Sequence, residues 1–115
     1  MKAYTDLEQS KKLVEILPIE SADMHYATWT ILDGDFIVSP NQGSTIEDLQ
    51  EDYGNQIIPC WSLSALLDVL PSSTLDSSDD HHYRLHCMER FTEWYDNQID
   101  ACYEMILRLH KQNLL

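Results

Sequence analysis

The stretch IIPCWSLSALLDVLP, residues 57–71, is the most regular apolar run in the chain. Cys60, Trp61 and Ser62 at its head have the residue types of a reactive centre, or of a helix start. The residues that follow decide between the two. Leu63, Leu66, Leu67 and Leu70 recur at i, i+3, i+4 and i+7, and Pro71 closes the run. A serine just before such a stripe is placed to cap the helix. Trp61 before the cap and Leu66 within the first turns have the spacing of a hydrophobic staple. Ile57 and Ile58 read as a short strand leading in. Each residue therefore has a structural task, and the block is scaffold rather than chemistry.

The same logic extends outward. At the start, TDLEQSKKLVEILP predicts a helix over 5–17, with Thr5 and Glu8 as a capping box and Pro18 as the stop. Leu7, Val14 and Leu17, joined by Leu13 and Ile16, supply its apolar stripe. HYATWTILDGDFIVSP predicts a hairpin turning at Asp33-Gly34, because glycine tolerates the positive φ of a tight turn. That turn sets Ile31 opposite Phe36 and Trp29 opposite Val38. Ala27, Trp29, Ile31, Phe36 and Val38 then share one buried face. In NQGSTIEDLQEDYGNQ, Ser44 and Glu47 form a further capping box, and Ile46, Leu49 and Tyr53 give a short helix that Gly54 ends. KLVEILPIES and ALLDVLPSST share an apolar-apolar-acid-apolar-Leu-Pro pattern, each followed by strand-like sequence. That echo fits a repeated helix-then-hairpin plan and equally fits the common way amphipathic helices end.

PSSTLDSSDDHH is a loop by composition. YRLHCMERFTEWYDN reads either as strands or as a helix, and its aromatic enrichment favours strands. Turning at Glu89-Arg90, they put Tyr83, Leu85, Cys87 and Trp94 on one face and His86 opposite Glu93. NQIDACYEMILRLHKQNLL is a helix capped by Asn97 with Asp100. Ile99, Cys102, Ile106 and Leu109 face inward, Glu104 and Arg108 form an i, i+4 pair, and Arg108, His110 and Lys111 sit late, matching the helix dipole. The expected architecture is one α+β domain over residues 1–115, with antiparallel hairpins in one sheet packed against about three helices.

With 20 acids against seven bases, the formal charge of −13 repels nucleic acids and anionic membranes. No apolar run is long enough to cross a bilayer and the N-terminus has no secretory pattern, so the expected compartment is the cytoplasm. Three cysteines without a CxxC pair are neither a disulfide framework nor a zinc knuckle, and they read as core residues. No P-loop, GxGxxG, GxSxG or HExxH occurs, and three glycines leave little for a backbone phosphate cradle. No cofactor is expected.

Two functional constellations remain. Glu47, Asp48, Glu51 and Asp52 crowd one short helix, and with Asp76, Asp79 and Asp80 they are the candidate partner-binding residues. Joined into one face, these acids would occupy a basic nucleic-acid-binding protein in place of DNA; spread out, they are a solvated surface. The metal candidate is DDHHYRLHC. His82 and His86 lie on one face in either secondary structure, with Asp80 near, so they could converge on zinc or another borderline ion. Without a second ligand pair, the ordinary reading is a solvated loop. Tyr26, Tyr53 and Tyr95 fall outside the buried faces and are candidates for a docking patch.

The blocks TDLEQSKKLVEILPIESADM, IPCWSLSALLDVLP and DACYEMILRLH resemble an uncharacterised family of small acidic proteins from gut anaerobic bacteria, carried largely on prophage and other mobile elements. They cover somewhat less than half the chain and are fold-forming blocks, so the resemblance implies no catalytic residues. Relative to longer members, the chain is short between Leu70 and Asp100. The expected function is a non-enzymatic interaction or accessory protein that binds a host protein, in its sharper form a basic one. A small metal-binding domain or metal-dependent enzyme built on His82 and His86 is the alternative.

Overall fold

The computed structural model describes residues 2–28, 36–41, 45–53 and 57–115. Its order is α1 (Leu7–Val14), a 3-10 turn (Ile19–Ser21), β1 (Met24–Thr28), β2 (Phe36–Pro40), α2 (Ile46–Tyr53), β3 (Ile57–Cys60), α3 (Leu63–Val69), β4 (Ser73–Ser77), β5 (Tyr83–Cys87), β6 (Arg90–Phe91) and α4 (Gln98–Lys111). This is an α+β fold. The described strands form two antiparallel three-stranded sheets, ordered β2-β1-β3 and β4-β5-β6, rather than one. Each half begins with a helix, then a break at proline, then a hairpin, which is the plan of the repeated Leu-Pro pattern. None of the described helices is long and apolar enough to cross a membrane.

The central block folds as its residues dictate. Ser62 Oγ accepts from Ala65 N at 3.2 Å, while Asp23 accepts from both the backbone N and the hydroxyl of Ser62. Trp61 and Leu66 are fully buried in the shared core, Leu70 nearly so, and Leu63 and Leu67 pack against it. Trp61 Nε1 donates to Ser21 Oγ at 2.9 Å, so the ring's polar corner is satisfied as well. On α4, Ile99, Cys102, Ile106 and Leu109 are all at zero exposure. Ala101 and Met105 join them, which widens the expected stripe into a helix wrapped on more than one side. The helix packs against α3 and β5, and Asn97 Oδ1 caps it by accepting from Asp100 N at 2.8 Å.

At two helices the cap sits one residue later than expected. Asp6, not Thr5, caps α1: its carboxylate accepts from Gln9 N at 2.8 Å and its own N donates to Gln9 Oε1 at 3.1 Å. Thr5 is instead buried and tied to the central block. Its N donates to Trp61 O at 2.9 Å, and its Oγ1 accepts from Trp61 N at 3.2 Å and bonds Ser10 Oγ at 2.7 Å. Tyr4 bridges Ser62, so residues 4–5 run as a short extension alongside the end of β3. The helix ends at Val14, short of Leu17 and Pro18; Leu13 on it and Leu17 beyond it are buried, whereas Val14 is 39% exposed. At α2, Thr45 Oγ1 accepts from Asp48 N at 3.1 Å; Ser44 and Gly54 lie outside the described residues.

The first hairpin pairs in a different register. Ala27 lies opposite Ile37 and Tyr26 opposite Val38, so Ala27 and Val38 are on opposite faces. The Asp33-Gly34 turn, Trp29 and Ile31 lie outside the described residues. β1 is the centre strand and also pairs with β3, Ala27 opposite Ile57 and Tyr26 opposite Ile58. Its register therefore answers to two neighbours, not to a turn alone. In the second half, Ser73–Ser77 is a strand where composition indicates a loop, because β5 provides a full ladder, Ser73 opposite Cys87 through Ser77 opposite Tyr83. The reversal is confined to residues 78–82, closed by Ser78 N donating to His82 O at 2.9 Å.

Candidate interaction surface

β5 alternates strictly. Leu85 and Cys87 point inward at 0% and 1% exposure, so Arg84 and His86 point out. The chain then reverses through Met88 and Glu89, whose φ values of 52° and 65° are those of a tight turn of the hairpin-favoured hand. The turn is thus one residue earlier than Glu89-Arg90. His86 consequently faces Phe91, not Glu93, and the two rings stack at 4.2 Å with 6° between planes.

Past Phe91 the register slips. Thr92 N donates to Leu85 O at 2.9 Å, yet Tyr95, not Trp94, exchanges two 2.7 Å bonds with Tyr83. Glu93 and Trp94 together oppose Arg84, which is a β-bulge. The extra residue turns Trp94 onto the outer face, 45% exposed, instead of the inner face that unbroken alternation gives it. Tyr95 goes inward against the core. The Arg84 guanidinium carbon then lies 4.5 Å from the Phe91 ring centre and 4.7 Å from that of Trp94. Asp76, directly across on β4, orients it through Oδ2, which accepts from Arg84 Nε at 3.2 Å.

The chain has three arginines, and all three hold this hairpin. Arg90 Nη1 donates to Met88 O at 2.8 Å and its Nε to Gln112 Oε1 at 2.6 Å. Arg108 Nη1, from α4, donates to Phe91 O at 2.8 Å. The outcome is a rigid outer face carrying Arg84, His86, Phe91 and Trp94, with Met88 beside it at the turn. Met88, Phe91 and Trp94 are each more than 40% exposed although large and apolar. Tryptophan and arginine dominate the energetic centres of protein interfaces, and clustered exposed rings rimmed by polar groups mark binding surfaces.

The sequence-predicted residues fall elsewhere. Glu47, Asp48 and Glu51 are exposed on α2, which packs on β3 and the 3-10 turn; the side chain of Asp52 lies outside the described part. Asp79 and Asp80 are exposed in the β4–β5 reversal on the other sheet, and Asp76 is engaged by Arg84. Neighbouring Glu20 holds the Glu47 pKa up, first by carboxyl–carboxyl hydrogen bonding and then by its charge. Among the described residues, no group of three or more His, Cys, Asp or Glu side chains is arranged to hold a metal ion. His82 is exposed beside the reversal, while His86 is stacked on Phe91. Of the tyrosines, Tyr26 donates its hydroxyl to Thr5 O at 2.8 Å, and burial pushes its pKa up to about 12. Tyr53's side chain is outside the described part.

All three cysteines are buried. Burial raises the thiol pKa of each, against hydrogen bonds from Thr5 and Ser10 at Cys60, and to about 12 at Cys102. A thiol held protonated and out of solvent is no nucleophile, so Cys60-Trp61-Ser62 is a packing block in three dimensions too. Trp94 escaped the sequence reading because a bulge leaves no mark in composition. The usable signal was the placement of Arg84 and Arg90 among aromatics in a chain otherwise poor in arginine.

No family model, curated protein or solved structure matches the chain.

Proposed function

We propose that this is a non-enzymatic interaction protein that docks a protein partner on the outer face of the β4-β5-β6 sheet. The observation that carries the reading is the bulge at Glu93–Trp94, which turns Trp94 out of the core side to lie with Phe91 under the Arg84 guanidinium. Exposing two large rings on a three-stranded sheet forgoes burial worth roughly 25 cal/mol per Å² of apolar area. A partner that covers them recovers it. The remaining surface, with its acidic excess, disfavours nucleic acid as that partner. The resemblance to mobile-element proteins makes a host protein the first class to test.

The test is affinity capture from host-cell lysate at low and high salt, with wild type, Phe91→Ala/Trp94→Ala and Glu47→Gln/Asp48→Gln/Glu51→Gln in parallel. Support is a partner kept at high salt and by the α2 variant but lost with the two aromatics. Each hot-spot ring is worth at least about 2 kcal/mol, near a 30-fold loss in affinity. A partner that ignores the aromatic variant, leaves at high salt and depends on the α2 acids overturns the reading in favour of electrostatic mimicry.

A further inference from the structure

The geometry points to a second site, for a small organic anion, between the C-terminal ends of α1 and α4. A pocket of about 230 Å³ lies there. Ile16 and Leu107, both half-buried, form its apolar wall, and Lys12, Arg108 and Lys111 bring three of the chain's seven bases to it. His110 also lines it. One carboxylate, Glu104, also lines it, held by Arg108 Nε at 3.7 Å. Lys12 has a loose contact of 3.4 Å with Glu15, both well exposed. The Lys111 ammonium, unlike its helical backbone, makes no hydrogen bond or ion pair with any other described residue.

Cations late in a helix offset the negative end of its dipole, and that accounts for a basic residue at the end of each helix. It does not account for a concave apolar wall between the two ends. The chain carries a formal charge of −13, yet this hollow gathers three bases against one carboxylate. An apolar wall with ammonium groups at its mouth matches a ligand with a short hydrocarbon body and one carboxylate. At about 230 Å³ the hollow is smaller than the roughly 300–1,000 Å³ of drug-sized ligand sites. The ligand class is therefore a short monocarboxylate, its body on Ile16 and Leu107 and its head on Lys12 and Lys111. None of these residues is on the Phe91–Trp94 face, so this site and the docking surface stand or fall separately.

The test is a titration of the full chain with hexanoate, followed by amide NMR shifts, with hexan-1-ol and inorganic phosphate as controls. Saturable shifts confined to residues 12–16 and 104–111 are expected, weakened at least tenfold for hexan-1-ol and in Lys12→Gln/Lys111→Gln. Both lysines are exposed, and an otherwise unchanged spectrum of the double variant verifies that it is folded. The proposal is overturned by shifts that do not saturate, by unchanged affinity in the double variant, or by phosphate binding as well as hexanoate, which would be a cation cluster acting without its pocket.

Discussion

Thr5 separates the reading of the sequence from that of the structure, and its substitution tests the structure directly. As a helix cap, Thr5 would tolerate aspartate as well as threonine, since both are good caps, and alanine or valine would cost about 1 kcal/mol. In the fold it is at zero exposure and its Oγ1 satisfies the backbone N of Trp61 and bonds Ser10, itself at zero exposure. Thr5→Val keeps the shape and removes the oxygen. Leaving the buried Trp61 N–H without a partner costs about 1–3 kcal/mol, and the lost bond to Ser10 adds about 1. The total of about 2–4 kcal/mol is a large share of the roughly 5–15 kcal/mol that holds a domain together. At roughly 4 °C per kcal/mol for a chain of this size, Tm falls by about 8–16 °C. Thr5→Asp puts a carboxylate into the same closed site beside Cys60 and is the worse of the two. Asp6→Ala, at the true cap, loses only about 1 kcal/mol. Urea unfolding monitored by tryptophan fluorescence, with slopes compared to exclude altered denatured states, gives the three values. Thr5→Asp at or above wild-type stability, or Thr5→Val within about 0.5 kcal/mol of it, would refute the buried-staple account.

The Lys2 ammonium bonds Asp6 and Asp100, each at 2.9 Å. Burial raises the carboxyl pKa values, but these bonds, with those from Gln9 and Asn97, outweigh it and hold both carboxyls below 3.8. Their contribution is therefore present above about pH 4 and lost as pH falls below it. Burial lowers the Lys2 pKa, yet its two partners outweigh that and hold it above 10.5, so its contribution is present below that pH and lost as pH rises through the folded value. Lys2→Gln flattens both limbs of a stability–pH curve, and an unchanged acid limb would contradict the network. At the β5–β6 turn, Met88→Asn/Glu89→Gly relieves two non-glycine residues at positive φ and raises stability by about 1–2 kcal/mol. A lower urea midpoint would show that the turn is not of the assigned type.

At Ser62 one cap-forming residue stood alone before an apolar stripe, and the helix start was legible. Where two stood side by side the start was misplaced by one at Thr5-Asp6 and Ser44-Thr45, though not at Asp96-Asn97. Capping propensity does not rank such neighbours. At Asp6 the choice follows from what Thr5 does elsewhere: its hydroxyl serves Trp61 N, a partner 56 residues away that no local pattern announces. The strand β4 was illegible for a related reason. Serines and an aspartate have poor strand propensity, but every position of Ser73–Ser77 lies opposite a β5 residue, and Leu75 packs against the core.

Register errors show why the candidate surface was missed while the core near it was not. Strand side chains alternate with period two, so a shift in the sum of paired residue numbers matters only through its parity. The first hairpin was expected with Ile31 opposite Phe36 and is observed with Thr28 there. That shift of three is odd, so Val38 moves to the face opposite Ala27. The second was expected with His86 opposite Glu93 and pairs it with Phe91. That shift of two is even, so Leu85 and Cys87 stay inward as read. Only beyond Thr92, where the bulge adds one residue, does parity change, and Trp94 crosses to the face that Arg84 already occupies. The bulge thus converts a would-be core tryptophan into half of an exposed aromatic pair. Deleting Glu93 should abolish the bulge yet keep Trp94 on the outer face, because it then follows inward Thr92 and stands directly opposite Arg84. The surface is a property of the backbone count, which is why residue types alone did not reveal it.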